Sequence, residues 1–588
     1  MATFSLTDIF KEARRRRVFR LLALYIVGAW VALQVADLAF PGLGIEESAI
    51  RYVWIGAILC LPIALFFGWR YDFIGGRIVR TAVNDVDADL SIQRADYVIL
   101  AVLSVVFAVI AFGLVGEISK TRVPETRRSV VANIHPNSIA VLPFLNMSQD
   151  PNNEYFADGI SEEILNLLAK IRELQVTSRS SAFSFKGQNV DLPTMAAKLN
   201  VAYVLEGSVR KSGNQLRITA QLIEVDTDTH LWSQTYDRNL ENIFVIQDEI
   251  AVAVVDALKI KLLGDAPKAT ETDPEAYALY LQEIYLRRQP QSTVDDYQQA
   301  EILLKQALDI DPGFAPAWNQ LGDVYANQGS TFGLFSHDEA YKLARDAIEK
   351  ALEIDRQYGR AWSDLGDLEI HYTWDFILAN QHVQKALTLS PGDAYVLLQV
   401  AELADDLGRY DEAIDLYGQA IALDPLSSRG HGLLARAYYR AHRPEEAADA
   451  YQLARSLSPP GRGPGYYNGL VLLAQGDAQA ALEVFEQLDV GPRRLTGIAI
   501  AQHALGNAEA SDAALQELIE WDGAQTWALR VAQVYTFRGE VDSAFDWLDQ
   551  AFDNRENYLP DQLFDPVFDN LRDDPRWPAF LDKMGFPQ

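Results

Sequence analysis

The residues best placed to do chemistry in this chain are three clustered carboxylates, Asp158, Glu162 and Glu163. Neighbouring carboxylates can serve as a general acid and a general base when their surroundings move their pKa values apart. These three, however, fall near the start of a predicted helix, where the helix dipole favours negative side chains for structural reasons alone. They therefore give no independent support for catalysis.

Other catalytic and ligand-binding patterns are missing from the sequence. The segment GSVRKSG (residues 207–213) lacks the Lys followed by Ser or Thr that a phosphate-binding loop carries after its second glycine. The eight histidines are scattered without metal-ligand spacing, and the single cysteine, Cys60, lies in an apolar run. We therefore predict a protein that is not an enzyme, with no catalytic residues, no cofactor and no metal.

The charge of the chain bears on the partners it can bind. The 588 residues include 51 Lys and Arg against 81 Asp and Glu, a net charge of −30, and residues 1–120 are almost neutral. The negative excess therefore belongs to the larger part that follows. Because such a surface repels phosphate backbones, we predict no nucleic-acid partner.

Three apolar runs dominate the beginning of the sequence, at about residues 18–40, 50–69 and 96–116. Each approaches the ~20 apolar residues that cross a bilayer, so residues 1–120 are predicted to form a membrane anchor of three transmembrane helices. A signal peptide would have a shorter apolar core and a small-residue cleavage site. By the positive-inside rule, arginines before the first and third runs place the N-terminus in the cytoplasm, where they also contact membrane lipid.

Residues 1–70 also resemble a module of bacterial membrane proteins. The resemblance is carried by VFR (Val18–Arg20), AWVALQVAD (Ala29–Asp37) and FPGLG (Phe40–Gly44). With three crossings, it implies a multi-pass protein of the bacterial inner membrane whose large C-terminal part lies in the periplasm. Basic residues at positions 120–128 run against this orientation.

The middle of the chain has the pattern of a small α/β domain. Residues 121–136 are polar and flanked by prolines, which predicts a linker. Over residues 137–264, short β-rich runs alternate first with helical periodicity and then with hairpin turns. That order of elements predicts a mixed sheet with helices packed on it.

Two segments of this domain resemble the TolB amino-terminal-like domain of bacterial membrane proteins. They are IAVLPFLNMSQDPNNEYFADGISEEI (residues 139–164) and YVLEGSVRKSGNQLRITAQLI (residues 203–223). The resemblance implies an interaction or sensory-relay module. It brings no known active site with it.

The rest of the chain repeats itself with a period close to 34 residues. The segment WNQLGDVY (Trp318–Tyr325) fits the pattern W-x2-L-G-x2-Y, and WSDLG (Trp362–Gly366) repeats its first part. In the second helix of a unit, small residues surround an aromatic one, as in Ala413, Tyr417 and Ala420. On these residues the region resembles the tetratricopeptide repeat proteins.

This resemblance completes the predicted domain order. About eight repeats cover residues 273–558, and residues 559–588 form a C-terminal cap. The predicted fold class is multi-domain, with three transmembrane α-helices, a small mixed-sheet α/β domain and an all-α tetratricopeptide superhelix.

Stacked repeats form a superhelix with a concave groove, which in this family binds protein segments. Packing residues such as Trp318 and Tyr325 fix which positions face the groove, since successive helical residues turn by about 100°. Counting through four units gives the predicted protein-binding residues, which are Asn319, Asp323, Asn327, Arg360, Asp367, His371, Tyr395, Glu402, Asp406, Arg436, Tyr439 and Arg440. Arg436 and Arg440 are cations in an acidic region, so we expect them to hold a partner without contributing appreciably to stability.

These patterns predict a non-catalytic, membrane-anchored scaffold that binds a protein or peptide partner in its repeat groove outside the cytoplasm. The alternative is a membrane sensor whose outer domain binds a ligand and relays it through the transmembrane helices. A repeat region that serves only as a spacer also fits the pattern. The sequence assigns no oligomeric state.

Overall fold

The structure is a computed structural model that describes residues 71–74, 77–80, 135–188, 190–260, 268–288, 292–458, 465–521, 527–556 and 558–586. The chain divides into two units, residues 1–130 and 131–588. In the first unit, strands β1 (Tyr71–Ile74) and β2 (Arg77–Arg80) pair antiparallel. All further elements belong to the second unit.

The structure corrects the predicted membrane-spanning fold class. Within the described ranges, no helix combines the length and the apolar character needed to cross a bilayer. The longest of them, His337–Ile354, has 18 residues and carries acidic and basic side chains along its length, whereas a spanning helix needs ~20 predominantly apolar residues. The predicted spans at about 18–40, 50–69 and 96–116, and the arginines predicted to contact lipid, lie outside the described residues.

The same finding contradicts the predicted localisation, a multi-pass inner-membrane protein with its C-terminal part in the periplasm. In place of the predicted fold class, the structure has a mixed-sheet α/β domain followed by a large all-helical repeat region.

The α/β domain is built on a mixed sheet in the order β5-β3-β6-β7-β8, with β4 also paired to β6. Parallel pairs join β3 to β5 and β6, and β4 to β6, whereas β6, β7 and β8 form antiparallel hairpins. The strands are β3 (Ser138–Val141), β4 (Leu145–Asn146), β5 (Gln175–Val176), β6 (Tyr203–Ser212), β7 (Gln215–Glu224) and β8 (Thr229–Asn239).

The GSVRKSG segment is a strand and a turn. A Cβ atom at Gly207 would collide with the backbone oxygen of Thr219 on the neighbouring strand, and with the ring of Phe144. Gly213 has φ of +57°, which the tight turn between β6 and β7 requires and which glycine adopts at little cost. The two glycines therefore serve the hairpin.

Four helices belong to this domain: α1 (Glu154–Ala169), α2 (Arg179–Phe183), α3 (Leu192–Leu199) and α4 (Ile243–Ala257). Helix α1 buries Phe156, Ile160, Ile164 and Leu168 at a spacing of four residues, so one face packs on the sheet. It also packs on α4 and on the first repeat helix, which it approaches closely at Gly159, where a Cβ atom would collide with the Leu281 side chain.

Sixteen helices in the described part of the repeat region form eight consecutive antiparallel-type pairs, each helix packing on its sequence neighbours. They are α5 (Pro274–Arg287), α6 (Val294–Ile310), α7 (Ala315–Ser330), α8 (His337–Ile354), α9 (Gly359–Leu368), α10 (Phe376–Leu389), α11 (Ala394–Asp406), α12 (Tyr410–Leu423), α13 (Ser428–Arg440), α14 (Pro444–Leu457), α15 (Gly465–Ala474), α16 (Ala478–Glu486), α17 (Pro492–Ala504), α18 (Ala508–Ile519), α19 (Ala528–Phe537) and α20 (Val541–Asp553).

The recurring tryptophan of the repeats forms a hydrogen bond through its indole N–H in addition to its apolar packing. The indole Nε1 of Trp318 donates to the carbonyl of Pro312 at 2.9 Å, and that of Trp362 donates to the carbonyl of Arg356 at 3.0 Å. In the later unit, Nε2 of His431 lies 3.0 Å from the carbonyl of Pro425. In each case a side chain binds the carbonyl six residues before it, and this bond fixes the turn that precedes α7, α9 and α13.

Beyond α20, three short helices fold back onto the repeats: α21 (Leu559–Gln562), α22 (Asp569–Arg572) and α23 (Arg576–Met584). We call residues 558–586 the return segment. Its apolar residues join the core of the second half of the repeats, where Phe586 stacks on Phe376 with ring centroids 4.2 Å apart. The first half instead shares one continuous core with the α/β domain.

Candidate partner-binding site on the inner face of the repeats

The first helices of successive repeats are joined by a ladder of side-chain hydrogen bonds. The amide of Asn319 on α7 donates to Asp364 on α9 at 2.7 Å, and the hydroxyl of Tyr395 on α11 donates to the same carboxylate at 2.8 Å. One step further, Gln399 on α11 donates to Asp367 on α9 at 2.9 Å. We call the surface formed by these first helices the inner face.

Burial changes the acidity of the ladder. It raises the pKa of Asp364 to about 7, and the nearby charge of Asp323 acts in the same direction. The hydrogen bonds from Asn319 and Tyr395 oppose this shift without cancelling it. A carboxyl of this kind changes its charge near neutral pH.

Ion pairs hold the inner face from α5 to α13. Arg287 contacts Asp323 and Glu283. Arg360 lies 2.6 Å from Asp393, and Arg429 lies 2.7 Å from Glu402. Asp323 and Asp367 keep 37% and 42% of their side-chain surface exposed, so this part of the face remains open to solvent.

Further along, the face is closed around Arg440, which is fully buried. Its guanidinium lies 2.9 Å from both Asp405 and Asp406 on α11 and 2.7 Å from Asp565 of the return segment. Burial raises the pKa of Asp406 to about 8, and the carboxylate of Asp561 adds to the shift. Arg440 is therefore an internal cross-link between two repeats and the return segment.

Other contacts confirm that the return segment occupies this end of the inner face. Nε2 of His371 lies 3.5 Å from Asp561, and the hydroxyl of Tyr467 donates to Asp565 at 3.2 Å. The hydroxyl of Tyr410 donates to the carbonyl of Phe564 at 3.0 Å. An external segment cannot reach Arg440 while these contacts hold.

The α/β domain contacts the repeats at the ends of several of their helices. Glu162 on α1 contacts Arg288, at the end of α5, and its Oε2 lies 2.8 Å from Nε of Arg179. Ser181 on α2 donates to Asp424 at 2.5 Å and accepts from the backbone N–H of Leu426 at 2.8 Å. These contacts explain why the carboxylates near the start of α1 are ion-paired partners of the fold.

The structure places the twelve sequence-predicted residues along this one face, in three different states. Asn319, Asp406, Tyr439 and Arg440 are buried. Of the half-buried ones, Arg360 and Tyr395 line a cavity against the α/β domain, and His371 and Arg436 lie beside the return segment. Asp367 and Glu402 line the same small cavity as His371 and Arg436, although Asp367 keeps 42% of its side-chain surface exposed. Asp323 and Asn327 lie on the open part.

Tyr439 is not part of the polar network. Its ring packs edge-to-face on Tyr467, with centroids 6.4 Å apart, inside an apolar cluster. The expectation that Arg436 and Arg440 hold a partner without supporting the fold also gives way to a structural role, because Arg440 is fully buried among three carboxylates.

Sequence counting missed several participants. Arg429 stands two residues before His431, just as Arg360 stands before Trp362, so the repeat register could have identified it. Asp364 lies two residues after Trp362, and Gln399 lies two residues after Leu397, the equivalent position of the next repeat, so this position is polar in two consecutive repeats. Glu162 and Asp565 carry no such signal, because their sequence distance from the inner face hides the contact.

Across the described ranges, no group of three or more His, Cys, Asp or Glu side chains is arranged to hold a metal ion. The carboxylates of the inner face are instead engaged by arginines, amides and hydroxyls. What the arrangement can do chemically is to bind polar and charged groups.

Comparison with known proteins supports part of the sequence resemblance. Residues 398–462 match the family model described as a tetratricopeptide repeat. Residues 135–253 match the model for the second domain of HilA/YgeH-like transcriptional regulators. The helical region therefore carries tetratricopeptide repeats, as predicted, whereas the resemblance to the TolB amino-terminal-like domain stays a prediction.

One relative is "Putative adenylate cyclase 3" from Rhizobium meliloti (strain 1021), with 44% identity over 193 residues. The alignment covers 32% of this chain and 32% of that protein, so the chain spans about a third of the length of this relative.

Among solved structures, Pseudomonas aeruginosa PilF is similar over 42% of this chain and 91% of that chain, with 17% identity and a TM-score of 0.27. YrrB, described as a tetratricopeptide protein with an unusual peptide-binding site, is similar over 35% of this chain and 92% of that chain, with 22% identity and a TM-score of 0.23.

Proposed function

We propose that this protein is a non-catalytic scaffold that binds a protein or peptide partner on the open part of its inner face. The observation that carries the proposal is the contrast in exposure along a single tetratricopeptide face. Asp323 and Asp367 remain more than a third exposed, while the residues around Arg440 are sealed by the return segment. Repeat superhelices present such concave surfaces to partners.

The chemistry of the open part indicates the kind of segment that fits. Asn327, Asp367 and Glu402 offer acceptors, and Arg429 offers a guanidinium with 56% of its surface exposed. An extended or helical segment with side chains of both charge signs would satisfy these groups. The partner is therefore expected to be a polar protein segment, held by charge-assisted hydrogen bonds.

The test places a photo-crosslinking amino acid at Asp367 of the full chain, with a control at Lys350 on α8, a second helix of the repeats. We expect a single protein to crosslink from position 367 and not from position 350. The purified partner should then bind the full chain directly, and Asp367→Arg should weaken that binding at least tenfold, about 1.4 kcal/mol. Equal crosslinking from both positions, or unchanged binding by the variant, would contradict the proposal.

The non-catalytic part of the proposal has its own measurement. Because one relative is named as an adenylate cyclase, the purified full chain should be incubated with ATP and Mg²⁺ or Mn²⁺ and assayed for cyclic AMP. We expect no product above the buffer control. Turnover that disappears on substitution of Asp158, which here is bound by Lys186 at 2.6 Å, would overturn this part.

A further inference from the structure

A cavity of about 390 Å³ lies where the α/β domain meets the inner face. One wall comes from α1 and α2, and the other from the beginnings of α9, α11 and α13 together with the end of α5. This volume falls in the range of small-molecule sites, ~300–1,000 Å³. The cavity is too small for a folded partner, and it shares Arg429 with the open part of the inner face.

Arginines dominate the polar lining of this cavity. Four of them reach it, against three carboxylates, within a chain whose net charge is −30. The arginines are Arg179, Arg288, Arg360 and Arg429. Guanidiniums that line a cavity attract anions from solution.

The carboxylates of the cavity are already engaged by partners of the fold. Glu162 is shared by Arg179 and Arg288, so two guanidiniums face one carboxylate. Asp393 is paired with Arg360. Asp424 accepts hydroxyl donors from α2, among them Ser181. Arg429 is paired with Glu402 outside the lining, so Arg179 and Arg288 are the two arginines of the cavity that share a single carboxylate.

A further acid next to Glu162, Glu163, is partly protonated at neutral pH and so adds little negative charge beside Arg179 and Arg288. Burial raises the pKa of Glu163 to about 7, and the charge of Glu162 adds to the shift. Around Glu162 itself, burial is outweighed by Arg288 and Arg179, which hold the pKa of that carboxyl below its ordinary value. The site therefore keeps its cations charged while one of the nearby acids is partly neutral at pH 7.

We propose that this cavity binds a small phosphate monoester, with the phosphate held by Arg179, Arg288 and Arg429 and the organic part against Leu165 and Leu398. Planar guanidiniums bind phosphate oxygens in pairs, which a point charge such as an ammonium does not do. The two leucines supply an apolar wall in the same cavity. Because the ligand would touch both the α/β domain and the repeats, it would link them.

The test needs no protein partner, and Arg288 lines the cavity without belonging to the proposed partner surface, so the result can be told apart from that of the scaffold function. The probes are inorganic phosphate and phenyl phosphate, added to the purified full chain at constant ionic strength set with sodium chloride. Sodium benzoate serves as the carboxylate arm. We expect both phosphates to raise the melting temperature in a saturable way, which chloride and benzoate should not do. The ³¹P resonance of each phosphate probe should broaden on addition of the chain.

Variants assign the effect to the cavity. Arg429→Gln and Arg288→Gln should each raise the apparent Kd for phenyl phosphate about tenfold or more. The matched control is Arg217→Gln on β7, since Arg217 has the same 56% exposure as Arg429 and each is paired with one carboxylate, Asp237 and Glu402 respectively. The ³¹P signal provides a readout that does not depend on the stability of a variant.

Three results would overturn the proposal. One is the absence of any phosphate effect on the unmodified chain. Another is an equal effect of benzoate, which would assign the cavity to carboxylates. The third is an equal loss of binding in Arg217→Gln and Arg429→Gln, which would indicate nonspecific attraction to surface charge.

Discussion

The two ends of the inner face are built from the same kind of helix pair but have become different surfaces. From α7 to α11, polar side chains bond to one another across repeats and stay partly open to solvent, as Asp323 and Asp367 do. From α11 to α15, the return segment covers the face and turns it into a core with Arg440 at its centre. Position within a repeat therefore does not determine whether a residue meets a partner.

The comparison also separates two uses of arginine. Arg429 makes a pair with Glu402 while more than half exposed, a situation in which water screens most of the energy of the pair. Arg440 has no exposed surface and is surrounded by carboxylates that would be left unpaired without it. The predictions below run from the largest to the smallest expected loss of stability on removing a contact, and end with the pH dependence of two carboxyls.

The strongest test of the closed end is Arg440→Met. Removing this guanidinium strands Asp405, Asp406 and Asp565 in a dry environment, so we expect the free energy of unfolding to fall by about 3–5 kcal/mol. Urea denaturation followed by circular dichroism measures the change. The control, Arg429→Met at the exposed start of the same helix, should cost less than about 1 kcal/mol; equal losses would abolish the distinction between the exposed and the buried arginine.

The apolar seal of the return segment can be broken at Phe586. Its ring stacks on Phe376 and packs edge-to-face on Phe564, so Phe586→Ala is expected to cost about 3 kcal/mol. The same denaturation measurement applies. Phe332→Ala, which removes a partly buried ring packed on Tyr297 in the first half of the repeats, should cost distinctly less, and a reversed order would show that the return segment is loosely attached.

Between the α/β domain and the loop from α12 to α13, Ser181→Ala tests how firmly that domain is held on the repeats. The substitution removes a donor from buried Asp424 and an acceptor from the backbone N–H of Leu426, for an expected loss of about 1–2 kcal/mol. Ser184→Ala removes a bond made only within the adjacent turn and should have a smaller effect. Native-state hydrogen exchange at Leu426 would report the change locally; unchanged protection there would contradict the assignment.

The last prediction concerns the pKa of Asp364, which lies between α7 and α11 on the inner face. The pKa of Asp364 is about 7 in the fold and near 4 in the unfolded chain, so its contribution to stability is present below about pH 4 and is lost as the pH rises towards 7. Asp364→Asn removes this dependence. Relative to the unmodified chain, the variant should therefore gain about 2–3 kcal/mol between pH 5 and pH 8.

A carboxyl with the opposite shift serves as the control. Hydrogen bonds from Thr194 hold the pKa of Asp191 below its ordinary value, so its contribution is present above the unfolded pKa and is lost in acid. Asp191→Asn should accordingly lose stability at pH 7 relative to the unmodified chain, and the difference should shrink below pH 4. Identical pH dependence of the two variants would contradict both assignments.

Local sequence pattern was sufficient for the elements of the second unit. The alternation of β-rich runs and helical periodicity indicated the mixed sheet, and the recurrence around Trp318 and Trp362 indicated the helix pairs, because these signals arise from contacts between sequence neighbours. The prediction of membrane-spanning helices failed for the described residues. It rested on the apolar runs at about residues 18–40, 50–69 and 96–116, which lie outside the described ranges.

The candidate site was predictable only in part. Helical geometry identified the face on which Asn319, Arg360 and Tyr395 lie, since it depends only on the turn per residue. It could not show that Asp565 would cover Arg440 or that Ser181 would reach Asp424, because these pairs are separated by 125 and 243 residues. Such contacts are set by how the superhelix curves, which no single repeat encodes.

The return segment also affects the order in which the chain can mature. Helix pairs that contact only their neighbours can stack as soon as they leave the ribosome. Arg440, in contrast, acquires its contact with Asp565 only after 125 further residues have been synthesised, and Phe376 waits longer still for Phe586. Until then the guanidinium of Arg440 is bound by Asp405 and Asp406 and by water. The repeats already synthesised are therefore less rigid, and they reach their final stability when the return segment packs on them.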